Sequence, residues 1–159
     1  MSSVKRRRSA AGERPGLRVR SALPADLAQV IAIDERATGL AKPEYWAGIL
    51  RRYGRRGARR RFLVAEAGAR IAGFIVGEVR DWEFGSPPCG WVFGIGVRPD
   101  AREAGIGAAL LEAITADFRR LGVATVRTLI ARDNQLVLSF FRSQGMMAAP
   151  VIPLEKDIG

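Results

Sequence analysis

The chain has 159 residues, room for one ordinary domain, with 48% apolar and 26% charged side chains, a globular balance. It contains no histidine and a single cysteine, Cys89, which excludes Ser-His-Asp and Cys-His nucleophile pairs, imidazole or multi-cysteine metal sites and an internal disulfide. The net charge of +10 is local: residues 1–20 carry +6, the arginine-rich segment 51–61 carries +7, and the remainder is net −3.

Residues 1–16 combine basic side chains with Ser, Gly and Pro and read as a disordered basic arm, leaving 17–159 as the folded domain. No apolar core follows Arg8, so no export signal is read, no membrane partner is expected and the cytoplasm is the expected compartment. Leu17–Ser21 alternates like a half-buried strand. Pro24 and Asp26 open a helix with Leu27, Val30, Ile31 and Ile33 on one face. Pro43 starts a second, where Trp46, Ile49, Leu50 and Tyr53 recur at helical spacing. Both tyrosines, Tyr45 and Tyr53, fall on that helix and are expected to pack. The arginines of 51–61 are expected to form a solvated face or loop.

Strand-like runs follow at Arg61–Ala67, Ile71–Arg80 and Gly90–Val97, the last softened by Gly94 and Gly96 as a bulge or a close ligand approach would require. A polar loop, Pro99–Ala104, leads into a helix from Gly105 to Leu121 stopped by Gly122. Val123–Ile130 reads as a strand, Asp133 or Asn134 caps a final helix ending before Gly145, and Val151–Glu155 reads as an edge strand. The order predicts a mixed α/β sheet covered by helices.

Chemistry concentrates where the third run ends. A buried strand stops at Val97, a polar loop turns, and a helix opens on Gly105 and Gly107 with Arg102 beside it. The first amides of such a helix lack acceptors and its dipole favours an anion, so the pattern suits a diphosphate. It is not the dinucleotide fingerprint, because Leu110 stands where the third glycine belongs. Taken alone, the glycines also fit a softened helix start that binds nothing.

The arrangement Arg102-x-x-Gly105-x-Gly107-Ala108 resembles the acyl-CoA pyrophosphate loop of the GNAT N-acetyltransferases. Downstream, Asn134 and the run Ser139-Phe-Phe-Arg-Ser-Gln-Gly145-Met146 resemble that superfamily's second signature, and the order of elements agrees. The resemblance implies a central mixed sheet of about six to seven strands with about four flanking helices, splayed between the fourth and fifth strands. It implies acetyl-CoA as co-substrate. The backbone of Phe93–Val97, including Ile95, Gly96 and Val97, would pair with the pantetheine arm. Amides from Arg102, Glu103, Ala104, Gly105, Ile106, Gly107 and Ala108 would hold the pyrophosphate. Asn134 would line the cleft, and Phe140 and Phe141 would flank the thioester.

Many family members place a tyrosine where this chain has Phe141, and that hydroxyl protonates the departing thiolate; phenylalanine cannot. Transfer also needs a neutral amine, hence a base or water relay. Asp81 and Glu83, in the loop before the cofactor strand, are the expected carboxylates, with Glu78 third. The expected reaction is acetyl transfer to an amine by direct attack. The acceptor, a small molecule or a protein amino group, stays open, as does a homodimeric state. Two rivals remain: a CoA-binding domain without transferase activity, and a nucleic-acid or ribosome-associated protein using the basic segments. Nucleic acid is the less favoured partner, since no aromatic-and-basic signature accompanies the charge.

Overall fold

A computed structural model describes residues 16–55 and 59–159; the expected arm lies outside the described residues except for Gly16. The chain runs β1 (Leu17–Ser21), α1 (Leu27–Thr38), α2 (Pro43–Tyr53), β2 (Arg60–Ala67), β3 (Arg70–Arg80), β4 (Cys89–Val97), α3 (Ile106–Arg120), β5 (Val126–Thr128) and α4 (Gln135–Ser143). The strands lie in sequence order in one sheet, antiparallel from β1 to β4, with β5 added parallel to β4.

Alternation along the strands divides the core between two faces. Leu63, Ala65, Ile75 and Val92 pack with Ile106, Leu110, Ile114 and Phe118 of α3 and with Phe141 of α4. Phe62, Val64, Phe74 and Val76 pack on the other side with Val30, Ile33, Trp46 and Ile49 of α1 and α2. Trp46 is fixed by its ring contacts to Phe62 and Phe74 and by donating from Nε1 to Asp34 at 2.9 Å. Glycines let the second layer close on the sheet: a β-carbon at Gly90 would lie 2.4 Å from the Phe118 ring.

The expectation of six to seven strands is corrected to five among the described residues. Val123 belongs to the helix stop, because its N–H donates to Phe118 O at 3.1 Å and Gly122, at φ 79°, donates to Arg119 O at 2.9 Å. This shortens β5 to Val126–Thr128. The expected edge strand at Val151–Glu155 does not form; Pro150 and Pro153 have no N–H to give a ladder, and Ile152 and Leu154 are 83% and 93% exposed. The basic segment also departs from a purely solvated face. Arg51, Arg52 and Arg55 are exposed, and Arg56 lies outside the described residues, whereas Arg59, Arg60 and Arg61 pair with Asp81, Glu78 and Asp117.

Asp26 ties β1 to the start of α1. Its carboxylate accepts from both terminal guanidinium nitrogens of Arg20, at 2.6 and 2.9 Å, and from the Leu23 N–H at 2.8 Å. Burial alone would push this carboxyl up, but the Arg20 fork and the Leu23 amide outweigh it and hold it below its ordinary 3.8. A folded-state value below the unfolded one stabilises above that unfolded value and is lost as pH falls through and below it. Asp26→Asn is therefore expected to cost about 1–3 kcal/mol at pH 7, with the difference from wild type shrinking below about pH 4. Urea unfolding at neutral pH and at pH 3 checks this.

Candidate active site

β5 pairs with β4 only over Gly90–Val92, so the β4 edge from Phe93 to Val97 has no strand beside it among the described residues. Thr128 closes the paired part by donating its hydroxyl to Val92 O at 2.8 Å. The register of β3 and β4 shifts between Val76 and Gly77, placing a bulge at Phe93. Beyond it, the Arg98 N–H donates inward to Ala72 O at 2.8 Å, so strand alternation turns the amides of Val97 and Ile95 toward the open edge. The bulge expected from the glycines is therefore present. Gly96 serves packing instead: a β-carbon there would meet the Phe74 ring at 2.5 Å and Ile33 at 3.1 Å.

The open edge runs directly into a single 3-10 segment, Pro99–Ala104, and then α3. Gly105 makes the junction at φ 74°, a left-handed conformation that suits glycine. The first helical hydrogen bond runs from Ala109 N to Gly105 O at 3.1 Å, so the amides of Ile106, Gly107 and Ala108 precede the intrahelical ladder. Arg102 and Ala104 are exposed beside this turn; the side chain of Glu103 is outside the described parts. Gly107 differs from expectation. It is buried, and a β-carbon there would meet the Phe140 ring at 2.9 Å, so its smallness lets α3 and α4 touch.

α4 starts at Asn134, whose side-chain oxygen accepts from the Val137 N–H at 3.3 Å. Asn134 is exposed, Phe140 half-buried, and Phe141 only 3% exposed, with the two rings 5.1 Å apart. Ile95, Val97, Ile106, Phe140 and Phe141 all belong to one apolar cluster. The fold thus brings together the strand edge, the helix start and the phenylalanines that the sequence scatters over 47 positions (95 to 141).

The two expected acids differ. Asp81 is exposed and forked onto Arg59, whose hydrogen bonds hold its carboxyl below the usual carboxylate range. Glu83 is half-exposed, 3.8 Å from Arg80, and lines a cavity of about 430 Å³ with Arg80, Phe84, Cys89, Trp91 and Arg127. Glu78 accepts from the Tyr53 hydroxyl at 2.9 Å and from Arg80 Nε at 3.2 Å. Burial, and then Glu78, push the Tyr53 phenol up, while its ring packs edge-on to Phe93 at 5.3 Å. Tyr45, expected to pack, is 45% exposed. Packing spacing on α2 locates the Tyr53 ring, but the hydroxyl partner 25 residues away has no local signal. Burial pushes the Cys89 thiol above its ordinary value. No helix among the described residues is long and apolar enough to cross a membrane.

Residues 27–146 match the model of the acetyltransferase (GNAT) family. The chain is 33% identical over 87 residues to mycothiol acetyltransferase of Saccharomonospora viridis, a match spanning 53% of this chain and 28% of that protein. Its fold is similar to that of an aminoglycoside 6′-N-acetyltransferase of Acinetobacter baumannii, at TM-score 0.75 and 19% identity over 91% of this chain and 100% of that one. An aminoglycoside N-acetyltransferase solved in complex with CoA gives TM-score 0.76 at 15% identity, over 90% and 95% of the two chains. The ribosomal-protein-S18-alanine N-acetyltransferase of Escherichia coli gives 0.64 at 23% identity, over 81% and 76%. The chain belongs to the GNAT acetyltransferase family, whose acetyl donor is acetyl-CoA.

Proposed function

We propose that this protein transfers the acetyl group of acetyl-CoA to an amine by direct attack. The observation that carries the reading is the continuity of the open β4 edge with the amides that precede the helical ladder at the start of α3. Those groups fit the donor: an amide-bearing arm can pair with a strand edge, and a diphosphate suits a helix start. Bound there, the thioester supplies an activated acetyl group.

The chain's own residues divide the work. Ile95, Gly96 and Val97 present the strand edge, with the outward amides of Ile95 and Val97 bonding the arm. Ile106, Gly107 and Ala108 donate to the pyrophosphate, Gly105 sets their direction, and the Arg102–Ala104 turn flanks them, with the Arg102 guanidinium adding charge. With a diphosphate held at the start of α3, beyond Val97, the thioester end would lie toward Phe93. Asn134 holds the start of α4, and Phe140 and Phe141 exclude water beside the thioester.

Glu83 takes the proton-accepting role, directly or through a water. It faces the cavity, whereas Asp81 is committed to Arg59. The acceptor approaches on the face carrying Glu78, Glu83 and Trp91. Solved neighbours include enzymes for aminoglycosides and for a ribosomal-protein alanine, so the fold accommodates both small and protein amines.

Steady-state thiol release from acetyl-CoA over a panel of amines tests the proposal. Amine-dependent release is expected; acetyl-CoA binding without it makes the chain a CoA-binding module. A steep fall of nucleic-acid affinity with salt would support the ribosome- or nucleic-acid-associated alternative.

A further inference from the structure

We propose that the acceptor is an amine that also carries a carboxylate, and that Arg127 is the residue that reads the carboxylate. This rests on the transferase reading above and extends it to the class of substrate. The register aligns four side chains in one row across the sheet: Arg60 opposite Glu78, Glu78 opposite Trp91, and Trp91 opposite Arg127. Residues so aligned share a face. It is the face turned away from α3, because the neighbours of the row point the other way: Arg61 bonds Asp117 of α3 at 2.7 Å, Gly77 faces Ile114 and Phe118, and Val92 lies in the α3 core.

Three cations in and beside this row are paired. Arg60 lies 4.0 Å from Glu78, Arg80 lies 3.2 Å from Glu78 and 3.8 Å from Glu83, and Arg59 is forked onto Asp81. Arg127 has no carboxylate within ion-pair distance among the described residues, and its Nε is buried without an acceptor. A buried Nε–H without an acceptor carries a cost that an anion bonded to it offsets. Its planar fork matches a planar carboxylate.

Arg127 lines the 430 Å³ cavity with Arg80, Glu83 and Trp91, and also a neighbouring cavity of about 210 Å³. Arg80 in the larger one is already paired with Glu78 and Glu83, so Arg127 is the guanidinium there that can take a carboxylate, with Glu83 on the same wall for an ammonium. Trp91 and Phe93, where the strands part, are two residues and roughly 7 Å apart along β4. An amino-acid-sized acceptor in this cavity can hold its carboxylate at Arg127 and its nitrogen toward Glu83.

Two measurements test this. In the first, matched N-acetyl amino acids and their carboxamides are titrated calorimetrically into the protein with CoA present. Carboxylates are expected to bind about 10–100-fold more tightly than carboxamides. Equal affinity overturns the proposal whether or not the protein turns over. In the second, kcat/KM is compared for free amino acids and amino-acid amides in wild type, Arg127→Lys and Arg127→Gln, each checked by thermal melting. The carboxylate preference is expected to fall partly with lysine and fully with glutamine, through KM; a preference that survives in a folded Arg127→Gln overturns it. Selective carboxylate binding without turnover would sink the transferase reading and leave Arg127 as an anion-selective binding residue.

Discussion

Gly105→Val is expected to weaken acetyl-CoA binding roughly 100-fold while lowering Tm by less than about 10 °C. Gly105 sits at φ 74°, between the 3-10 turn and α3, where a β-branched residue meets its steepest backbone penalty. Relieving that strain rotates the amides of Ile106–Ala108, and the bonds they would make to a diphosphate are charge-assisted and directional. The core side chains of α3 begin one residue later and are untouched, so the loss falls on binding more than on folding. The effect is graded by tolerance of the left-handed region: Gly105→Asn retains most affinity, Gly105→Ala less, and Gly105→Val least. Calorimetry on folded variants decides it, and unchanged affinity in the valine variant would remove the helix start from the donor site. Gly107→Val is the poorer probe, because its side chain strikes Phe140 and disturbs the α3–α4 contact before any ligand is involved.

That contrast between glycines only two residues apart marks how far local signals extend. Local signals locate elements whose causes are local: Leu17–Ser21 alternates, Pro43 opens α2, Asn134 caps α4, and each forms as its residues dictate. The glycine–helix junction is legible for the same reason, since φ at Gly105 is set by the turn itself. What stays hidden depends on partners distant in the chain. Gly96 and Gly107 look like ligand clearances, yet Phe74, Ile33 and Phe140 fill the space. Arg59–Arg61 look like solvated charge until β2 sets them beside Asp81, Glu78 and Asp117. The apolar run after Gly122 reads as one long strand, but the helix-ending bond to Val123 takes its first residue. Arg127 carries no motif, and only the register of four strands places it beside the cavity.

Glu83→Gln is expected to lower kcat by about 10²–10⁴-fold, and Phe141→Tyr to change it by less. A thiol with a pKa near ~8.5 leaves tolerably with water or a backbone amide nearby, whereas an amine near ~10.4 must first lose a proton that neutral pH keeps on it. Preparing the acceptor is therefore the harder task, and a carboxylate facing the cavity contributes more than a new hydroxyl would. Phe141 is 3% exposed in the cluster between α3 and α4, so a tyrosine there must also find a partner for its hydroxyl in largely apolar surroundings. Activity should rise toward alkaline pH without a falling limb, because Tyr53, held by Glu78 and pushed up by burial, keeps its proton through that range. Asp81→Asn should matter less than Glu83→Gln, since the Asp81 carboxylate is already spent on Arg59. If neither carboxylate variant loses activity, the base is solvent. A sharp alkaline fall that disappears in Tyr53→Phe would instead make Tyr53 the acid, delivered from α2 through its contact with Phe93 at the strand bulge.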